Sequence, residues 1–399
     1  MIRSVILMCF ISLIIGCHSK NDLALQISEI NLSTKHSGEP NLTVNHDGKV
    51  LLSWVEYEND SLDALKFSRL DLDGWSEPKT IAQGTDWFVN WADFPSLVNV
   101  DNSNMTAHWL QKSASGTYDY DVHLSQSKDG GTSWSPSFIP HRDGVNAEHG
   151  FVSMVPTPDA KTFAVWLDGR NTKNETDNAM TLRSAEIDSE GNLTEEVELD
   201  QRVCDCCQTG ATWTDKGPIV VYRDRSDDEI RDISIVRKVD GKWTAPTSLH
   251  NDEWKIAGCP VNGPSIDSKD NYVAVAWFTI ANGEPKVLIS TSIDYGHTFS
   301  KPIRLDQGDA IGRVDVVVDN KISIVTWMEN EDEDAAIKMR TVGFDGNVSD
   351  VFRIGKNSGS RSSGFPRLAR HDMGLFMVWT DALDSISMVR TFKISLENE

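Results

Sequence analysis

The stretch Arg202-Val-Cys-Asp-Cys-Cys-Gln-Thr-Gly210 places Cys204, Cys206 and Cys207 within four residues, and Cys259 follows in AGCPVNGP. Thiols this close support three chemistries. Oxidised, they form disulfides; a Cys206–Cys207 bond would close a strained adjacent-residue ring, so the easier bridge joins Cys259 to Cys204, Cys206 or Cys207. Deprotonated, they form a soft donor set for Zn or Cu(I), with His149 or His36 as further ligands. C-x-C-C is not the familiar C-x-x-C spacing, however, and adjacent cysteines strain against sharing one ion. A strained pair would also serve as a labile redox dithiol. A second set of chemistry-bearing residues is cationic: Arg223, Arg225 and Arg231 in YRDRSDDEIRD, Arg313, and Arg361 in GSRSSGFPR. A guanidinium fork suits a carboxylate, although Asp224, Asp228, Glu229 and Asp232 would equally draw the first three into ordinary ion pairs.

The elements that must position these residues are legible from a repeat. An aromatic residue ends an apolar run seven times, at Trp54, Trp109, Trp166, Tyr222, Trp277, Trp327 and Trp379, with spacings of 55, 57, 56, 55, 50 and 52 residues. A period of that size fits four short strands with their turns, and seven copies give a seven-bladed β-propeller. Four of the expected outermost strands, WSEPKTI, WSPSFIP, WTAPTSL and FSKPIRL, carry the proline that suits an edge. The last unit has only three strands, so ALQISEINLS at residues 24 to 33 is expected to add the fourth and close the ring. In such a ring, the loops that run from an outer strand into the next blade's inner strand converge near the axis. Those seven loops hold His36, Trp87, Trp91, Asp93, His149, all four cysteines, Asn262, Arg313 and Arg361. This convergence predicts an axial-face site with Cys259 close to the C-x-C-C loop. Trp87 and Trp91 would either stack on a sugar ring there or pack between blades.

Two turns are more specific. Ser127, Asp129, Gly131 and Trp134 in SKDGGTSW, and Ser292, Asp294, Gly296 and Phe299 in SIDYGHTF, fit the pattern S-x-D-x-G-x-[ST]-[WF]. The Asp accepts backbone N–H bonds across the turn, Gly supplies a positive φ, and the aromatic packs beneath. With these motifs the chain resembles the Asp-box propellers of the sialidase-like superfamily along essentially its whole length. The resemblance implies a propeller of sialidase type, six-bladed in the catalytic members. It also implies either sugar binding or a glycoside hydrolase with Asp93 or Asp205 as acid/base and an arginine clamp on the sugar carboxylate. The arginine motif that leads the first blade in sialidases is missing, and no Tyr lies in the last two units, where the family nucleophile belongs.

The N-terminus reads as a targeting segment. Residues 1–16 form a basic-then-apolar leader too short to span a bilayer, and Ile14-Ile15-Gly16-Cys17 resembles a bacterial lipobox. The resemblance implies acylation at Cys17, a tether over 17–23, a propeller domain over 24–399, and a lipid anchor in the envelope, with the outer membrane favoured by His18. A net charge of -22 opposes nucleic-acid binding. The acidic loops ENDSLD, NETDN, DRSDDE and NEDEDAA would hold Ca only without a recognised ligand spacing. The expected ligand is therefore an anionic glycan, a small acid or an envelope partner's acidic segment, bound by Arg225, Arg231, Arg313, Arg361, His149, Asn262, Trp87 and Trp91.

Overall fold

A computed structural model describes residues 23–44, 48–174, 178–372 and 374–398. The leader, Cys17 and nearly all of the tether lie outside the described residues. Seven antiparallel sheets follow one another around a ring, the seven-bladed arrangement that the repeat predicts. Each aromatic marker falls on the second strand of its blade: Val50–Asn59, Met105–Lys112, Thr162–Asp168, Gly217–Arg223, Tyr272–Thr279, Ile322–Glu331 and Gly374–Asp381. Trp54, Trp166, Tyr222, Trp277 and Trp327 are fully buried. Truncating any one of these aromatic side chains would cost roughly 3–5 kcal/mol, which explains why the period is strict at this position. Several ring polar atoms are satisfied by acids: Trp166 Nε1 donates to Asp168 (2.9 Å), Trp277 Nε1 to Asp252 (2.7 Å) and Trp327 Nε1 to Glu329 (2.8 Å).

The ring closes as expected. Leu23–Ile30 pairs antiparallel with Met388–Asn398, from Leu23 opposite Asn398 to Ile30 opposite Thr391. The proline-led outer strands are short, and the second blade keeps only a Leu124–Phe138 bridge beyond its three strands. Blades are stitched to one another near the axis by polar pairs, among them Ser265 to Asp315 (2.8 Å) and Leu368 N–H to Asp315 (2.7 Å).

The two Asp-box turns fold as local motifs. Asp129 accepts the Ser133 N–H (2.8 Å) and the Ser133 hydroxyl (2.6 Å), Gly131 N–H donates to Ser127 (2.8 Å), and Trp134 meets Phe67 edge-on. Asp294 repeats the pattern with Thr298 (2.8 and 2.7 Å). These donors hold both carboxyls at about 2.

Candidate functional site

Inner strands enter blades 3 and 6 through the same device. A bulge interrupts the register between Gly150 and Ser153 and again between Gly312 and Asp315, and Phe151 (φ 53°) and Arg313 (φ 55°) take the left-handed conformation there. Such conformations cost about 1 kcal/mol or more, so each needs a fixed partner. For Phe151 the partner is Asp93, whose Oδ1 accepts its N–H at 2.6 Å; for Arg313 it is Asn262, whose Oδ1 accepts at 2.7 Å. The preceding glycines make room, because a Cβ on Gly150 would lie 2.1 Å from Asp93 Oδ2 and one on Gly312 2.4 Å from Asn262 Oδ1.

This pairing assigns Asp93 and Asn262 to backbone support. Asp93 is 1% exposed, and burial pushes its carboxyl up to about 8. Beside it lies Glu148, which the sequence reading did not single out: Tyr120 donates to Glu148 (2.9 Å) and contacts Asp93 (3.1 Å), and burial raises Glu148 to about 7. The other acid/base candidate, Asp205, is held by Arg225 at 3.2 Å. Its carboxyl is raised by burial.

The arginines expected to clamp a carboxylate are mostly committed to protein acceptors. Arg223 donates to the carbonyls of Asn262, Arg231 and Phe278 and locks blade 4 to blade 5. Arg313 donates to Ser363 (2.6 Å) and the Ser360 carbonyl (2.9 Å), with its guanidinium 5.0 Å above Trp91. Arg225 and Arg231 share Glu229 at 2.8 Å each, which lowers that carboxyl to about 2. Arg361 differs: it is exposed and 6.0 Å from the Trp91 ring. Trp91 stacks on Phe365 and Trp87 on Trp109, so both pack inward in part. His149 is fully buried, away from any open ligand surface.

The cysteines do converge. Cys204 Sγ lies 3.6 Å from Cys207 Sγ and 4.0 Å from Cys206 Sγ, and the sulfurs of all three lie within 4.8 Å of one another. Cys259 interacts with Cys206 from the neighbouring loop, as the loop alignment predicts. The four sulfurs are not bonded to one another in this structure. Two local features build the cluster. Cys204 N–H donates to the Arg223 carbonyl (3.0 Å), anchoring the loop to blade 4. Gly263 lets the Cys259 loop press on the backbone after Cys207, since a Cβ there would lie 1.8 Å from the Gln208 carbonyl oxygen.

The surroundings of one sulfur favour its thiolate form. Thiol donors from Cys206 and Cys207, then the Arg231 guanidinium 3.1 Å away, hold Cys204 well below the usual thiol range. Hydrogen bonding to Cys204 pushes Cys206 up, burial raises Cys207, and a bond from Cys206 lowers Cys259. Exposure is graded: Cys204 and Cys207 are buried, Cys206 is half-buried and Cys259 is exposed, so the cluster opens outward. Three thiols around the Cys204 sulfur could hold a soft ion or undergo thiol exchange.

No family model matches the chain, and no curated protein matches it either. Solved structures do. A protein of unknown function from Dyadobacter fermentans aligns over 94% of this chain and 99% of its own, at 12% identity and a TM-score of 0.53. A Hadza microbial sialidase aligns over 87% of this chain and 76% of its own, at 13% identity and a TM-score of 0.50. An inactive variant of virginiamycin B lyase from Staphylococcus aureus, with quinupristin, aligns over 93% and 99%, at 12% identity and a TM-score of 0.51. The likeness is one of fold alone, a β-propeller.

Proposed function

We propose that this protein is a metal-thiolate propeller whose axial face captures a soft ion, Cu(I) or Zn(II), through Cys204, Cys206 and Cys207, with Cys259 at the mouth. The observation that carries the reading is the sulfur spacing. Sulfurs at 3.6 and 4.0 Å bracket the separation of about 3.8 Å that a tetrahedral ion with bonds of about 2.3 Å imposes. Arg231 offsets the negative charge that several thiolates would gather, and Asp205, tied to Arg225, keeps the loop in place. Graded exposure lets an ion enter past Cys259 without unfolding the ring. With acylation at Cys17, the site would sit on a lipid-anchored protein of the cell envelope, positioned to take an ion from, or pass it to, an envelope partner. Elemental analysis with a free-thiol count on protein prepared without oxygen or chelator tests this. One soft ion per chain, lost on thiol alkylation, supports it; protein that binds neither Cu(I) nor Zn(II) overturns it.

A second reading is favoured by Arg361, the exposed guanidinium beside Trp91: an anionic glycan or small acid bound at that rim. Titration with free sialic acid, repeated with Arg361→Ala, tests it, and turnover of a fluorogenic sialoside would extend it to a hydrolase.

A further inference from the structure

A second donor cluster lies between blades 2 and 3, built from four chain segments. Asp121 comes from the blade 2 strand Tyr120–Ser127, His141 and Asp143 from the crossover loop, His149 from the start of His149–Pro156, and Asp168 from the end of Thr162–Asp168. His149 and Asp168 are fully buried, and the side chains of His141 and Asp143 are 4% and 6% exposed.

The distances in this cluster do not suit hydrogen bonds. His149 Nε2 lies 3.3 Å from Asp143 Oδ2 and 3.6 Å from Asp168 Oδ1, and its Nδ1 lies 3.5 Å from Asp121 Oδ1. Good N–H···O bonds span about 2.7–3.2 Å. Both ring nitrogens of His149 and Asp143 Oδ2 lack a hydrogen-bond partner in the protein although they are buried. Two donors on one ion, each about 2.1 Å from it at a tetrahedral angle, stand about 3.4 Å apart. The separations around His149 Nε2 match those of ligands on one ion.

Neighbouring groups fix the roles. Val122 N–H donates to His141 Nε2 (3.3 Å), which leaves the proton of a neutral His141 on Nδ1, 3.3 Å from Asp143 Oδ2. The His141 ring stacks on His149 with centroids 3.7 Å apart and planes 3° apart, fixing both. Asp168 is held rigid by Arg170 (2.7 and 2.6 Å) and Trp166. Asp143 and Asp168 face the single guanidinium of Arg170, which Glu196 also engages at 2.8 Å, and Asp121 adds a third carboxylate at the Nδ1 side of His149. Positive charge is in deficit at a buried place, where charge imbalance is costly.

We propose that Asp143 Oδ2, His149 Nε2 and Asp168 Oδ1 bind a divalent ion of the Zn(II) class, with Asp121 as the carboxylate that faces the Nδ1–H of His149 from behind. A carboxylate behind a metal-bound histidine sets the ring's tautomer and strengthens the ligand. One imidazole and two carboxylates suit Zn(II) rather than Cu(I), which prefers thiolates. The site is closed, so the ion braces the seam of blades 2 and 3. It is independent of the cysteine cluster.

Zn(II) loading of the full chain carrying Cys204, Cys206, Cys207 and Cys259 all changed to Ser isolates this cluster. The expected result is one tightly held Zn per chain after desalting and a melting temperature that rises with Zn(II) and falls with chelator. His149→Gln and Asp143→Asn should each cut retained Zn to about a tenth or less, and Asp121→Asn should weaken it about tenfold. In the background with all four cysteines, His149→Gln should lower total Zn by one equivalent while leaving the thiol count unchanged. That arm serves if the cysteine-free chain does not fold. Retention of no Zn by the Ser variant, with a melting temperature indifferent to Zn(II) and chelator, would overturn the proposal and leave a protonated His149 as the charge that balances the carboxylates. Equal metal in the Ser variant and the unaltered chain would instead count against the cysteine site alone.

Discussion

The entrances to blades 3 and 6 share one backbone solution and differ in its chemistry. Each has a bulge, a glycine, a left-handed residue and a polar side chain from the preceding loop that accepts its N–H, yet blade 6 uses the amide of Asn262 and blade 3 the carboxyl of Asp93. An amide does this structural work without a titratable group. Blade 3 instead surrounds its carboxyl with Tyr120 and Glu148 and places the His149 cluster one turn away. Blade 4, whose entry loop has no left-handed residue, carries Cys204, Cys206 and Cys207. The difference teaches that bulge geometry belongs to the fold, whereas ionisable groups gathered at one side of the ring belong to its chemistry.

The comparison breaks most severely at the glycines. Gly312→Ala forces a Cβ against Asn262 at a φ of 90°, and Gly150→Ala forces one against Asp93; both should cost about 2–4 kcal/mol by denaturant unfolding. Next comes the cysteine loop, where Cys204→Ser should weaken soft-metal binding about a hundredfold, some 2.7 kcal/mol, in competition with a chromogenic chelator. Arg231→Met should weaken it about tenfold, because the Cys204 thiolate loses its counter-charge.

A pH series sharpens the comparison directly. The Asp93 carboxyl is raised from 3.8 to about 8 in the folded protein by burial, so the stability it contributes is complete below about pH 3.8 and is lost as pH rises toward 8. Asp93→Asn should therefore melt near the parent at pH 4 and above it at pH 8, whereas Asn262→Asp should import the same decline into blade 6. A parallel pH dependence in the parent and Asp93→Asn would refute the assignment. The smallest effect is expected at the Asp-box turn: Asp129→Ala should lower the melting temperature only slightly and leave metal content unchanged, since its partners lie within four residues of it.

Much of this molecule was legible before any coordinates. The strict recurrence of Trp54, Trp166, Trp277 and Trp327 fixed blade number because each indole must be buried at the same place in its sheet. The Asp-box turns were legible too, because their hydrogen bonds close within a handful of residues and a local pattern encodes them fully. The gathering of reactive residues in the crossover loops, and the approach of Cys259 to the C-x-C-C loop, followed from connectivity.

Other features were decided by contacts between distant segments. Whether Arg223 and Arg313 face a ligand or bind carbonyls depends on partners 39 to 55 residues away in sequence for Arg223 and about 50 for Arg313, and packing turned both inward. Asp93 could be recognised as a bulge support only when Phe151, 58 residues on, was seen to donate to it. His141, Asp121 and Asp168 carry no spacing that marks them, because three separate stretches of blades 2 and 3 bring them to His149. The sequence determined the ring and which loops meet at its axis, since burial and short-range turns obey periodicity. Tertiary structure alone decided which charges are satisfied and which donors are left facing one another, since those depend on register between blades that no local pattern records.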